Sequence, residues 1–205
     1  MKHFSLILFG LISWWNFTFA ETELAPLEEL QKTVARAVEV LYGPDSIDKS
    51  SEVKRQEVRS EFEAAYDLNI IIRRAIGRNW KRMSVDEQAE VVELIKQLVL
   101  KAYIDGMNGK ARPVIAYGKL ITLSEKRIEI PSTILFDGRT LNLKYRFARM
   151  QTGWELYDLI AEEISLVSNY RQQFDEHFRR YDAVSLIEKL NKLLLNEKLE
   201  PNVSF

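Results

Sequence analysis

Hydrophobic and polar positions divide the chain into a helical first half and a strand-rich second half that returns to helix. Leu27, Leu30, Val34, Val38 and Leu41 recur at helical spacing, with Pro26 in the opening turn, and Tyr42-Gly43-Pro44-Asp45 closes that helix. A polar connection over 44–51 leads to a second, mostly charged helix from Glu52 to Ala65, with Val58, Phe62 and Ala65 facing inward. Asp67 is placed to cap a short helix from Leu68 to Gly77. Ser84-Val85-Asp86-Glu87 is a capping box, in which a hydroxyl and a carboxylate three residues apart satisfy each other's free backbone N–H groups. After it, Val91, Leu94, Ile95, Leu98, Val99, Ala102 and Tyr103 carry a long helix to Gly106, where Gly106, Gly109 and Pro113 break the pattern.

Between Val114 and Ile160 the period becomes that of strands. Ile121 to Leu123, Arg127 to Leu135, Leu141 to Met150 and Trp154 to Ile160 form candidate strands, and Asp137-Gly138 and Thr152-Gly153 are turn signals that predict an antiparallel meander. In the third strand Leu141, Leu143, Tyr145 and Phe147 point one way and Asn142, Lys144, Arg146 and Ala148 the other. Trp154 and Leu156 extend the apolar face in one register; a slip of one residue presents Tyr157 and Leu159 instead. From Glu162 the period turns helical through Ile164, Val167, Phe174 and Phe178. The stretch Gly153–Phe174 therefore reads as a strand running directly into a helix, with Glu162 and Glu163 in a first turn whose dipole favours acidic side chains. Asp182 caps a last amphipathic helix bearing Leu186, Ile187, Leu190, Leu193 and Leu194. The predicted class is α+β, a mainly antiparallel sheet with helices packed around it.

At 205 residues, 46% hydrophobic and 29% charged, the chain is sized for one folded domain. Its start narrows the compartment. Lys2 and His3 precede an apolar run from Phe4 to Trp15, and Thr18-Phe19-Ala20 supplies the small residues of a cleavage site, so residues 1–20 read as a secretory signal peptide and 21–205 as a single exported domain. A net charge of −1, or −2 without the leader, advertises no nucleic-acid partner. With no cysteine, thiolate metal sites and thiol nucleophiles are excluded.

Catalytic chemistry finds little to work with. His177, the only histidine after the leader, reads as a surface or helix-end imidazole. Glu162 and Glu163 offer an acid/base pair only on paper, because neighbours on a helix point in different directions. Phosphate-loop, dinucleotide and nucleophile-elbow motifs are absent. Arg73, Arg74, Arg78, Lys81 and Arg82 around Trp80 read as a solvated face beside a buried tryptophan. What remains is apolar area, and periodicity does not separate a closed core from a cavity.

Two stretches carry a family resemblance. Ala75-Ile-Gly-Arg-Asn-Trp80 with Ser84-Val-Asp-Glu-Gln88 and Leu98-Val-Leu-Lys-Ala-Tyr103 forms one; Trp154-Glu-Leu-Tyr-Asp158 with Ile164-Ser-Leu-Val-Ser-Asn-Tyr-Arg-Gln-Gln-Phe174 forms the other. Together they resemble the MlaC, or toluene-tolerance, family of periplasmic phospholipid-binding proteins. Glu163 departs from the family's common glycine and Asn79 from a frequent aromatic. The resemblance implies a twisted sheet and helices enclosing an apolar cavity for acyl chains, no cofactor and no bond chemistry. The implied partners are a phospholipid, an inner-membrane ABC transporter complex with MCE domains, and an outer-membrane lipoprotein complex. The implied role is a carrier that maintains outer-membrane lipid asymmetry. Strand phase and helical face then nominate Tyr103, Leu143, Tyr145, Phe147, Trp154, Leu156 and Ile164 as lining, with Arg146, Arg149 and Arg171 near the mouth. A carrier of another lipid, such as a hopanoid in the related HpnM group, and a lipid-modifying enzyme using His177 or Glu162 are the alternatives.

Overall fold

A computed structural model describes residues 18–107 and 109–196. The expected leader lies outside these residues except for Thr18–Ala20, which begin the first helix. Four helices come first: α1 (Thr18–Tyr42), α2 (Ser51–Ala65), α3 (Leu68–Ile76) and α4 (Val85–Met107). Six strands follow, β1 (Val114–Tyr117), β2 (Ile121–Ser124), β3 (Arg127–Phe136), β4 (Arg139–Met150), β5 (Gly153–Ala161) and β6 (Ile164–Ser165); α5 (Leu166–Arg180) and α6 (Ala183–Leu194) close the chain. The strands form one open antiparallel sheet in the order β1-β3-β4-β5-β6, with β2 sharing the β3 edge. The class is α+β.

Local chemistry fixes most of these boundaries. The capping box forms in both directions: the Glu87 N–H donates to Ser84 Oγ at 3.3 Å and the Ser84 N–H to Glu87 Oε2 at 2.7 Å. Asp67 accepts from the Asn69 N–H at 2.9 Å and Asp182 from the Ser185 N–H at 2.9 Å, opening α3 and α6. Each such cap is worth about 1 kcal/mol. Asp137 and Gly138 take φ of 54° and 72° between paired Phe136 and Arg139, the two-residue turn with both φ positive that matches strand twist. Pro26 sits inside α1, because the helix continues back to Thr18.

The junction after β5 differs from the expected helix start. Glu162 and Glu163 take φ of 46° and 66° between paired Ala161 and Ile164, so they form a second tight hairpin turn and not a helical one. The chain makes the short strand β6, and α5 begins only at Leu166, capped by Ser165 Oγ accepting from the Ser168 N–H at 3.0 Å. Buried Asp158 holds this corner by accepting from the Val167 N–H at 3.2 Å and the Ser165 hydroxyl at 2.7 Å.

Two main clusters make the interior. In one, α4 packs on α6, with Ile76, Val91, Leu98, Phe174, Leu186 and Leu190 among its buried members. The other joins α1 to one face of the sheet through Leu30, Tyr66, Ile128, Ile130, Leu143, Tyr145 and Phe147. A third, smaller cluster of Ala37, Val58 and Ile104 ties α1 and α2 to α4.

Candidate functional site

The face of the sheet carrying Leu143, Tyr145 and Phe147 is the place where apolar area and unused polar groups meet. Strand alternation puts these three with their partners Ser132, Ile130 and Ile128 on β3, and Tyr117 on β1 pairs with Ser132 on the same side. On β5 the register changes midway. Arg146 pairs with Asp158 but Phe147 pairs with Leu156, leaving Tyr157 as an extra residue. This bulge keeps Trp154, Leu156, Leu159 and Ala161 all on the Tyr145 face and turns Tyr157 to the other. Of the two registers open to the sequence, each holds on one side of Tyr157.

Leu30 of α1 and the end of α2 cover part of this face; Tyr66 stands beside Phe147 with ring centroids 5.6 Å apart. Phe147 itself has no accessible surface. From α4, Val99 and Tyr103, four residues apart and so on one helical face, are each 46% accessible. Accessibility of that order usually means contact with bulk solvent, yet burial pushes the Tyr103 phenol up, and Tyr103 in turn helps raise that of Tyr145. Tyr103, exposed on α4, thus lies near Tyr145 of the sheet.

Four phenols thus converge. Burial raises Tyr145 most, followed by the nearby Tyr103, with Tyr117 and Tyr66 adding smaller effects. Burial likewise pushes Tyr117 up to about 12 and raises Tyr66, the latter assisted by the Glu29 carboxylate. Three polar groups on this face are buried without a hydrogen-bond partner among the described residues: the Tyr66 hydroxyl, Ser132 Oγ and Trp154 Nε1. Thr33 lies beside Tyr66 and Ser132 beside Tyr145, in both cases outside hydrogen-bond geometry.

The remaining nominated residues scatter. Ile164 pairs with Ala161 at the end of the same face and is 60% accessible. Arg149 pairs with Trp154 on that face and is exposed. Arg146 is on the opposite face, where Nε donates to Glu129 Oε2 at 2.8 Å. Arg171 turns to α3, donating through Nε to the Arg74 carbonyl at 3.0 Å and packing over Gly77. Hence neither Arg146 nor Arg171 lies on the Tyr145 face. The sequence reading missed Tyr66, Val99, Tyr117 and Ser132; the helical phase of Val99 with Tyr103 was the one signal that could have found any of them.

Reactive groups are not assembled here. His177 is buried and not superficial, with Nε2 3.0 Å from the Asp182 carbonyl and its ring against Phe178 and Tyr181, so it staples α5 to α6. Glu163 faces Lys144 Nζ at 2.6 Å on the exposed turn. No cluster of His, Cys, Asp and Glu with the makings of a metal site occurs among the described residues. Clefts are found away from Tyr145 and at the margin of its face. One of about 240 Å³ lies between Tyr42, Lys54, Ile104 and Lys110; one of about 260 Å³ is lined by Gly118, Pro131, Ser132, Thr133, Asn142, Leu143, Lys144 and Glu163.

Comparison with solved structures finds a phospholipid-binding protein from Ralstonia solanacearum, determined in complex with a phospholipid. It is 20% identical, with a TM-score of 0.71 over 82% of this chain and 95% of that one. That likeness establishes the shared fold. No curated protein matches the chain at a significant level. The family model described as MlaC protein matches residues 31–192, most of the chain. On that match, this chain belongs to the MlaC family.

Proposed function

We propose that the protein is a periplasmic phospholipid carrier, which binds lipid non-covalently and exchanges it between an inner-membrane ABC transporter complex and an outer-membrane lipoprotein complex. The observation that carries this reading is the apolar face of the sheet around Tyr145, where Tyr103, Tyr117 and Tyr66 gather and the Tyr66 hydroxyl, Ser132 Oγ and Trp154 Nε1 are buried without a partner among the described residues. It is supported by the MlaC family match and by the phospholipid held by the Ralstonia solanacearum protein of the same fold. Residues 1–20 serve as a leader for export and the remainder as one domain.

Physical chemistry makes the role intelligible. Each acyl CH₂ exposed to water costs about 0.8 kcal/mol, so a lipid with two long chains crosses an aqueous compartment slowly unless shielded. A sheet face of Leu, Phe, Ile and Tyr supplies that shield. Lipid tails are as apolar as leucine, so transfer from bilayer to protein is close to neutral and a carrier can both load and unload. Direction then comes from the membrane complexes. The protein forms and breaks no covalent bond in this scheme, and its chemistry is burial.

The test is transfer of a labelled phospholipid from donor to acceptor vesicles held apart by a protein-permeable membrane. The expected result is a transfer rate that rises in proportion to protein concentration. Chemical turnover of the lipid, lost in Glu162→Gln or His177→Gln, would replace the carrier by an enzyme.

A further inference from the structure

Positive charge gathers on a side of the molecule that the carrier reading does not use. From Leu68 to Arg82 the chain has five basic residues and no acidic one. Arg73 and Arg74 lie in the last turn of α3, away from buried Ile72, Ala75 and Ile76, and both are exposed. The helix dipole accounts for cations at that end. It does not account for Arg127, which arrives from β3 and is also exposed. The two elements meet over one ring: the guanidinium carbons of Arg74 and Arg127 stand 4.9 and 5.6 Å from the centre of Tyr157, which the β5 bulge turns to this face. Arg171 reaches the same place from α5 by donating to the Arg74 carbonyl, and Arg73 stands 5.1 Å over Trp80 on the other flank of α3.

Nearby acids do not pair with these arginines. Glu129, Glu155 and Asp158 share this face of the sheet but are buried, where Glu129 pairs with Arg146, Glu155 accepts from the Asp67 N–H, and Asp158 accepts from the Val167 N–H. Asp67 itself caps the opposite end of α3. Asp175 pairs with Arg78, and Glu176 faces Arg180. Among the described residues no carboxylate forms an ion pair with Arg73, Arg74, Arg127 or Arg171.

Phosphate is the anion this arrangement fits. A guanidinium stacked on a ring leaves its N–H edge available, and that planar fork matches the oxygens of a phosphate. Three such groups, with Arg171 beside them, are spread over α3, β3 and α5, and neither cleft described above is lined by any of them. They suit an array of phosphates on a surface, not one small anion in a pocket. We propose that this face, with Arg73, Arg74, Arg127 and Arg171 over Trp80 and Tyr157, docks the protein on the headgroups of an anionic phospholipid bilayer. The docking goes beyond the carrier reading and does not depend on what the opposite, Tyr145 face holds.

The experiment is flotation of the purified protein with vesicles. Vesicles rich in phosphatidylglycerol should bind it at about 0.1 M salt and release it at about 0.5 M, and phosphatidylcholine vesicles should not bind it. Each basic residue near an anionic surface is worth about fivefold in affinity, so Arg73→Gln, Arg74→Gln and Arg127→Gln together should weaken binding roughly a hundredfold. Lys at the same three positions should retain most of it, which separates lost charge from lost packing on Tyr157. Lys32→Gln, Arg36→Gln and Lys54→Gln remove equal charge from α1 and α2, the helices over the Tyr145 face, and should leave binding unchanged. No binding to phosphatidylglycerol vesicles, or equal binding to both kinds, overturns the inference. So does a loss as large in the α1 and α2 variant as in the α3 and β3 one, because net charge and not this face would then be acting. Binding of polyglutamate without binding of phosphatidylglycerol vesicles also overturns it and gives the face to an acidic protein.

Discussion

Val99→Trp separates a cleft from a core at the α4 side of the site. Val99 is 46% accessible and shares a helical face with Tyr103, so the larger ring enters space that is already open. If that space belongs to acyl chains, an indole displaces the equivalent of about four methylene groups. At roughly 0.8 kcal/mol each the loss is about 3 kcal/mol, or somewhat over a hundredfold in affinity. Stability should change by less than about 1 kcal/mol, as for substitutions with room to spare. Phe147→Ala supplies the contrast: with no accessible surface it should cost about 3–5 kcal/mol and lower the melting temperature markedly. Lipid per protein is read by extraction and mass spectrometry, stability by urea titration. Unchanged lipid occupancy in a folded Val99→Trp protein would refute the reasoning. So would a destabilisation of the size expected for an overpacked core, about 1–3 kcal/mol, because it would mean the space is filled.

Two further predictions concern the scaffold. Glu163 has φ of 66°, so Glu163→Gly should be more stable than Glu163→Ala by about 1 kcal/mol; both lose the Lys144 pair, and equal unfolding midpoints would contradict the left-handed turn. Hydrogen bonding by Arg59 is the largest influence on Glu93, holding its carboxyl down at about 2. A depressed folded-state value means the stabilisation is present above the ordinary glutamate range and lost as pH falls from there towards about 2. With side chains 26% and 43% accessible, solvent screening reduces the pair to about 1 kcal/mol. Glu93→Gln should therefore be less stable than the unaltered protein by that amount at neutral pH, with the difference closing in acid; a difference independent of pH would rule out the pair as its source.

The sequence made legible those elements whose local chemistry has one solution. Ser84 and Glu87 could hardly do other than cap α4, and the alternation of Leu141, Leu143, Tyr145 and Phe147 against polar neighbours left β4 one way to lie on a core. Asp137-Gly138 named its own turn. Glu162-Glu163 did not, because glutamate has no preference for positive φ and an acidic pair before an apolar series looks like a helix start. The bulge at Tyr157 was invisible for a related reason: it depends on the pairing of β4 with β5, and no residue announces it. Arg146 and Arg171 were grouped at a mouth by charge alone, whereas Glu129 and the Arg74 carbonyl decide where they point. Tyr66 and Ser132 join the site through contacts between elements distant in the chain, which periodicity within one element does not report.

Native mass spectrometry of the protein as purified, with extraction and identification of whatever dissociates, tests non-covalent phospholipid binding most directly. The expected spectrum shows the chain plus the mass of an intact phospholipid, released on collisional activation. A bare chain, remaining bare after incubation with phospholipid vesicles, would contradict the proposal that this protein carries lipid.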